Sequence, residues 1–163
     1  SRPSPNQKPR PLPQRIDCIV IHDTEGTLES SLDWLTNIKS NVSCHYLIAR
    51  DGKIYQLVAD DREAYHAGES ELHGEHNVNV FSIGIELVDQ SDKNDPYPDA
   101  QMEALFQVCE ELCSTHRISL NRVVGHQHIA FGRKSDPGPD FPWFEFLATL
   151  GARIGDREIK HDE

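Results

Sequence analysis

The sequence predicts an α/β fold, a single domain with a central mixed β-sheet flanked by helices. Three observations predict it. Short runs rich in Val and Ile, the longest being Cys18-Ile19-Val20-Ile21, alternate with stretches of helical periodicity. Asp51-Gly52 between two apolar runs marks a hairpin, which adds an antiparallel pair to a strand–helix pattern. A length of 163 residues suits one domain with a real core.

The elements follow in chain order. Residues 1–13 hold five Pro together with Arg2, Lys8 and Arg10, so an extended arm outside the core is expected over residues 1–14. Residues 15–21 read as a buried strand. Leu28, Leu32, Leu35 and Ile38 recur at helical spacing, with Thr27 as N-cap. Residues 42–49 form a second strand, and the Asp51-Gly52 turn leads into a partner over 53–58. Residues 81–88 form a third buried strand with Gly84 inside it. A polar loop over 92–98 contains Pro96 and Pro98, and Asp99 caps a long helix. The apolar stripe of that helix is Met102, Leu105, Phe106, Cys109, Leu112 and Cys113. Val123-Val124 is a short strand ending at Gly125-His126. A loop runs to Pro142, and a short aromatic helix spans 143–150. Beyond Gly155 the chain is charged and reads as frayed. The division is thus an arm (1–14), a domain (15–152) and a charged tail (153–163), with no internal repeat.

Composition narrows the function. A net charge of -11 argues against a protein built to hold nucleic-acid phosphates. No apolar run approaches the roughly 20 residues of an integral membrane helix. No signal peptide is visible, but the chain opens at Ser1 rather than Met, so this carries little weight. Cys18, Cys44, Cys109 and Cys113 form no C-x-x-C pair and read as small buried side chains; a disulfide would need a non-reducing compartment. Oligomeric state is not legible.

Several polar residues sit where chemistry is done. His22 leaves a Val/Ile strand and enters the polar turn Asp23-Thr24-Glu25-Gly26; a satisfied structural His is the plain alternative. His126 also ends a short apolar strand, and Asp136 follows within a backbone stiffened by Pro137-Gly138-Pro139. Two His and one carboxylate are a common catalytic zinc set, although nine His in the chain also make chance triads. Glu86 lies in Ser82-Ile83-Gly84-Ile85-Glu86-Leu87, an otherwise apolar strand. A carboxylate buried there is costly unless it is ion-paired or used as a general base with a raised pKa. Lys134, two residues before Asp136, either faces solvent or places a cation beside the same site.

Taken together, these blocks resemble the type 2 family of N-acetylmuramoyl-L-alanine amidases, which share a fold with peptidoglycan recognition proteins. The resemblance runs over about residues 16–143. It is carried by Ile19-Val20-Ile21-His22, Ser43-Cys44-His45-Tyr46-Leu47-Ile48, residues 50–58, Tyr65-His66-Ala67-Gly68, Asn79 with residues 81–87, Val124-Gly125-His126, and Gly132-Arg133-Lys134-Ser135-Asp136-Pro137-Gly138-Pro139. It implies zinc ligands at His22, His126 and Asp136, and catalytic roles for Glu86 and Lys134. It implies a substrate groove involving Asn79, Arg133, His45, Tyr65 and His66. The implied reaction is zinc-dependent hydrolysis of the amide between N-acetylmuramic acid and L-alanine, with peptidoglycan or muropeptide as substrate.

Some positions depart from the family pattern. Many relatives have a second His where this chain has Asp23, Trp where it has Tyr65, and Asp where it has His128. Phage lysozyme-type relatives replace the Glu and use a Tyr near Cys44; with Glu86 and without that Tyr, the chain resembles the Glu-dependent branch. A non-catalytic peptidoglycan-binding module is the rival, since recognition-type relatives lose a zinc ligand. The sequence leaves open a role in wall lysis, remodelling or recycling, and with it the compartment, whether at the cell envelope or in the cytoplasm.

Overall fold

The computed structural model describes residues 2–89 and 97–161, with side chains described to residue 156 in the last helix. In chain order the elements are β1 (Gln7–Pro9), β2 (Cys18–Asp23), α1 (Leu28–Leu35), β3 (Tyr46–Ile48), β4 (Ile54–Gln56), β5 (Arg62–Ala64), β6 (Glu71–Leu72), β7 (Glu75–His76), β8 (Ser82–Leu87), α2 (Asp99–His116), β9 (Val123–Gly125), α3 (His126–Ile129) and α4 (Trp143–His161). The main sheet has five strands in the order β4-β3-β8-β2-β9. Neighbours are parallel except β3 and β4, which the Asp51-Gly52 turn joins as an antiparallel hairpin. This is the mixed sheet expected from the sequence.

Strand parity decides what each face of the sheet meets. On β2 and β8, Ile19, Ile21, Ile83, Ile85 and Leu87 point to one side, where Leu105, Cys109 and Leu112 of α2 and Phe146 and Leu150 of α4 complete the main core. Cys18 and Val20 point to the other side and pack with Ala67, Val78, Phe81 and Ile129. His22 shares the parity of Cys18 and Val20, and Glu86 shares that of Ser82 and Gly84. Both polar side chains therefore lie on the face away from the long helices. A third cluster of Leu35, Cys44, Leu47, Leu57 and Val88 anchors α1 beside that face. All four Cys are buried and unbridged.

Several expectations are corrected. The Pro-rich segment is not a loose arm: β1 pairs antiparallel with β5, and Ser4, Asn6 and Arg10 are buried. Its Pro residues hold it extended, and its polar side chains satisfy buried carbonyls. α1 stops at Leu35, leaving Ile38 exposed in a following 3-10 turn. Thr27 caps this helix as expected, accepting from Ser30 N–H. Asp99 is the first helical residue of α2 rather than its cap, which is Pro98. α2 also buries Val108 and a wholly enclosed Gln101, whose Nε2 donates to Ile48 O and Val88 O. α4 continues well past Leu150 to His161, because Phe146, Leu150 and Ile154 extend one stripe into the core. Its Gly151 permits close approach to Leu120, since an added Cβ there would sit 3.0 Å from Leu120 Cδ1. The expected polar loop over 92–98 lies outside the described residues up to Pro96.

Arg10 ties the N-terminal segment to the sheet. Its Nε donates to Asp60 O, Nη1 to Asn79 O and Val80 O, and Nη2 to Ser82 O, at 2.8–3.1 Å. Burial pulls its pKa down to about 10, still charged at neutral pH. Arg10→Ala strands those carbonyls and is expected to destabilise the fold by at least about 2 kcal/mol, the scale of one lost charge-assisted hydrogen bond with its acceptor left bare. An unchanged urea midpoint for that variant would show the clamp to be dispensable.

Candidate metal centre

The site forms where the parallel strands end at their carboxyl side, a usual place for ligand binding in such sheets. His22 is the penultimate residue of β2, and Glu86, its direct cross-strand partner, is the penultimate residue of β8. His126 begins α3 at once after β9, whose Gly125 pairs with Ile21. Asp136 arrives from the loop after α3, and its carbonyl accepts from Gln127 N–H at 2.9 Å. Four stretches distant in sequence thus place side chains at one sheet edge.

His22, His126 and Asp136 form a group that could hold a metal ion. His22 Nδ1 lies 3.0 Å from His126 Nδ1, and each of these atoms lies 3.1 Å from Asp136 Oδ2. Donors about 2.0–2.2 Å from a tetrahedral ion stand roughly 3.3–3.6 Å apart, so a few tenths of an ångström separate this triangle from a coordination set. The proton inventory supports the fit. His126 Nε2 is 3.0 Å from the Ala67 carbonyl, which can only accept, so Nε2 carries the proton in the tautomer that turns an Nδ1 lone pair into the triangle. That lone pair faces a carboxylate oxygen in a buried place, an arrangement that a cation stabilises. Burial pulls His22 down to about 4, so this ring is neutral and ligand-competent near pH 7.

Glu86 stands on the wall of the same site. Its Oε2 is enclosed and has no hydrogen-bond partner among the described residues. Burial first, then the charges of Asp136 and Asp23, raise its pKa well above the ordinary carboxylate value, while Lys134 opposes the shift. Asp23 follows His22 at the strand end and accepts from Tyr97 O–H at 3.2 Å; burial raises it to about 7.

Two cavities of about 600 and 590 Å³ adjoin along this cluster, sharing Tyr65, His66, His126, Arg133 and Lys134 among their walls. Glu86, Asp136 and the half-exposed Trp34 of α1 line the first. Asn79, Lys8 and Glu63 line the second. Lys134 and Arg133 are exposed, and Arg133 Nη2 donates to Ala67 O and Glu69 O at 2.7 Å. Asn79 Oδ1 accepts from the N–H groups of His66 and Ala67, bracing that segment.

His45 departs from the expected substrate-binding role. It is fully buried and lines neither cavity. Its Nδ1 accepts from Gly84 N–H, and its Nε2 donates to Arg62 O. These two bonds make the ring a strut between β8 and β5. His66 is also largely buried, with its ring against His22, and only a small part of it reaches the walls of the two cavities. His128 stays out of the triangle: its Nδ1 accepts from Gly125 N–H and its ring packs on Trp143. Sequence reading missed Lys8, Trp34 and Glu63 as groove residues. Trp34 carried a signal, as a large aromatic on the exposed side of an amphipathic helix.

A sequence profile described as N-acetylmuramoyl-L-alanine amidase matches residues 12–139. The chain belongs to that family. Among relatives of this amidase-family chain, the 1,6-anhydro-N-acetylmuramyl-L-alanine amidase AmpD of Enterobacter cloacae is 33% identical over 96% of this chain and 92% of its own length. A crystal structure of a selenomethionine AmpD derivative superposes with a TM-score of 0.79 at 34% identity, covering 91% of both chains. The amidase AmiD from E. coli, in complex with anhydro-N-acetylmuramic acid-L-Ala-D-gamma-Glu-L-Lys, superposes with a TM-score of 0.78 at 34% identity over 88% of this chain and 61% of AmiD.

The raised Glu86 pKa has a measurable consequence for this family member. The unfolded chain ionises Glu86 near 4.5, whereas the metal-free folded chain holds its proton to higher pH, so this group removes stability as pH rises above 4.5. Metal-free Glu86→Gln lacks that penalty. Its stability advantage over wild type is expected to be small at pH 4 and to widen toward pH 7, by at most about 1.4 kcal/mol per pH unit. Urea unfolding of both proteins in chelator would reveal it; a difference independent of pH would mean Glu86 is not desolvated.

Proposed function

We propose that this chain is a zinc-dependent hydrolase that cuts the amide bond between the lactyl group of N-acetylmuramic acid and the L-alanine of a muropeptide. The observation that carries the reading is the convergence of two imidazoles and one carboxylate beside Glu86, at the junction of two cavities. That donor set, with one side open to a cavity, suits a catalytic zinc site; a structural site more often has four protein ligands. The intact set also speaks against the binding-only module.

His22, His126 and Asp136 would hold the metal, which when bound would supply a Lewis acid to polarise the scissile carbonyl and acidify water. Glu86 takes a proton from the attacking water as the carbon–oxygen bond forms. Lys134, at the rim, offers positive charge to the developing carbonyl oxyanion. As the carbon–nitrogen bond breaks, protonated Glu86 returns the proton to the leaving alanine nitrogen. Burial raises its pKa above the ordinary carboxylate value, which suits it to hold that proton until the nitrogen leaves. The two adjoining cavities receive the muramyl and peptide portions on either side, with Tyr65, Arg133 and Asn79 at their walls. The names of the AmpD relatives and the ligand of the AmiD complex make an anhydro-muropeptide the first substrate to try.

The test is mass spectrometry of products after zinc-loaded protein meets soluble anhydro-muropeptide and intact sacculi in parallel. Release of peptides that begin with L-Ala, stopped by a chelator and restored by zinc, is expected. No such peptide from either substrate would reject the activity. Glu86→Gln is expected to keep zinc and lose turnover by about 10²–10⁴-fold, the usual range for a general base; wild-type turnover would reject that role. Asp136→Ala is expected to lose the metal, and a full zinc equivalent by elemental analysis would remove Asp136 from the ligand set.

A further inference from the structure

A chain of protons behind the site can be followed to its end. Ser82 Oγ lies 2.6 Å from Val78 O. A carbonyl cannot donate, so the hydroxyl proton lies on that contact. Ser82 Oγ also lies 3.0 Å from His66 Nε2 and has no second proton to give, so His66 Nε2 must be the donor. Neutral His66 then has a bare Nδ1, which lies 3.0 Å from His22 Nε2. His22 must therefore carry its proton on Nε2, which leaves its Nδ1 lone pair directed at His126 and Asp136.

We propose that His66, oriented by Ser82, is the positioning residue that fixes His22 in the one tautomer able to ligate metal through Nδ1. Two features show that the ring's place is built. His66 is 8% exposed and meets His22 edge-on. Beneath it lies Gly84, where an added Cβ would stand 2.4 Å from His66 Cγ. The glycine inside β8 thus opens the space in which the imidazole lies across the sheet. Ser82, Gly84 and Glu86 share one strand face, so a single strand supplies the relay's hydroxyl, the room for its ring and the carboxylate of the site. Hydrogen bonds of this kind set the tautomer and basicity of metal-bound imidazoles, and losing one commonly weakens metal binding by about 10–100-fold.

The inference rests on the metal reading above, and the test separates the two. In metal-free ¹⁵N-labelled protein, His22 is expected to show a protonated Nε2 and a pyridine-like Nδ1 by long-range ¹H–¹⁵N correlation. Competition with a chromophoric chelator is expected to give a zinc affinity about 10–100-fold weaker for His66→Phe. His66→Asn, which returns an acceptor oxygen near the Nδ1 position, is expected to recover most of that loss. A proton on His22 Nδ1 in the unmodified protein would overturn the proposal even if His66→Phe failed to fold. Wild-type zinc affinity in a folded His66→Phe protein would overturn it too, while leaving the metal centre standing. Absence of zinc uptake by the wild-type chain would defeat the metal reading and this relay with it.

Discussion

The parallel register between β2 and β8 is the constraint on which the site depends. It sets His22 against Glu86 and, through β9, brings His126 to the same edge. The register is held by apolar side chains on both faces, Ile19, Ile21, Ile83 and Ile85 on one and Cys18 and Val20 on the other. A slip of one residue would send His22 into the helix-covered core and bring an isoleucine to the cavity. The candidate site and the packing are therefore not separable here: the core selects the alignment, and the alignment makes the triangle.

The cost of the arrangement is concentrated on the face away from the helices. Three histidines and a carboxylate are enclosed there, and burial opposes the charged form of each titrating group it perturbs. For the histidines the fold meets the cost with hydrogen bonds, whereas Glu86 Oε2 is left without a partner among the described residues. His45 spans two strands through backbone partners, His126 leans on Ala67 O, and Asn79 braces the segment that carries His66. The N-terminal segment belongs to the same scheme, since Arg10 satisfies carbonyls at both ends of the turn leading into β8.

Much of this was legible in the linear chain because it depends on local pattern. Val/Ile runs marked β2 and β8, the Asp51-Gly52 turn marked the hairpin, and helical spacing marked α1 and α2. What escaped notice depends on partners distant in sequence. Residues 1–14 read as a free arm because Pro disfavours regular structure, yet an extended segment needs only a strand edge, and β5 provides one. The two-stranded β6–β7 ribbon is too short to have a period. The helix expected over 143–150 runs on through Gly151 and Gly155, and close packing against Leu120 makes the first of them useful.

The sequence by itself determined the family, the order of the main elements and the residue types able to bind metal, because these follow from short-range periodicity and from motif blocks in a fixed order. The tertiary structure alone decided which histidine does what. His22 and His126 turn their Nδ1 atoms into one triangle with Asp136, His66 stands behind His22, His45 is a strut, and His128 caps a turn. The physical reason is that an imidazole's role is set by what each of its two nitrogens faces, and nearly all of those partners come from elsewhere in the chain.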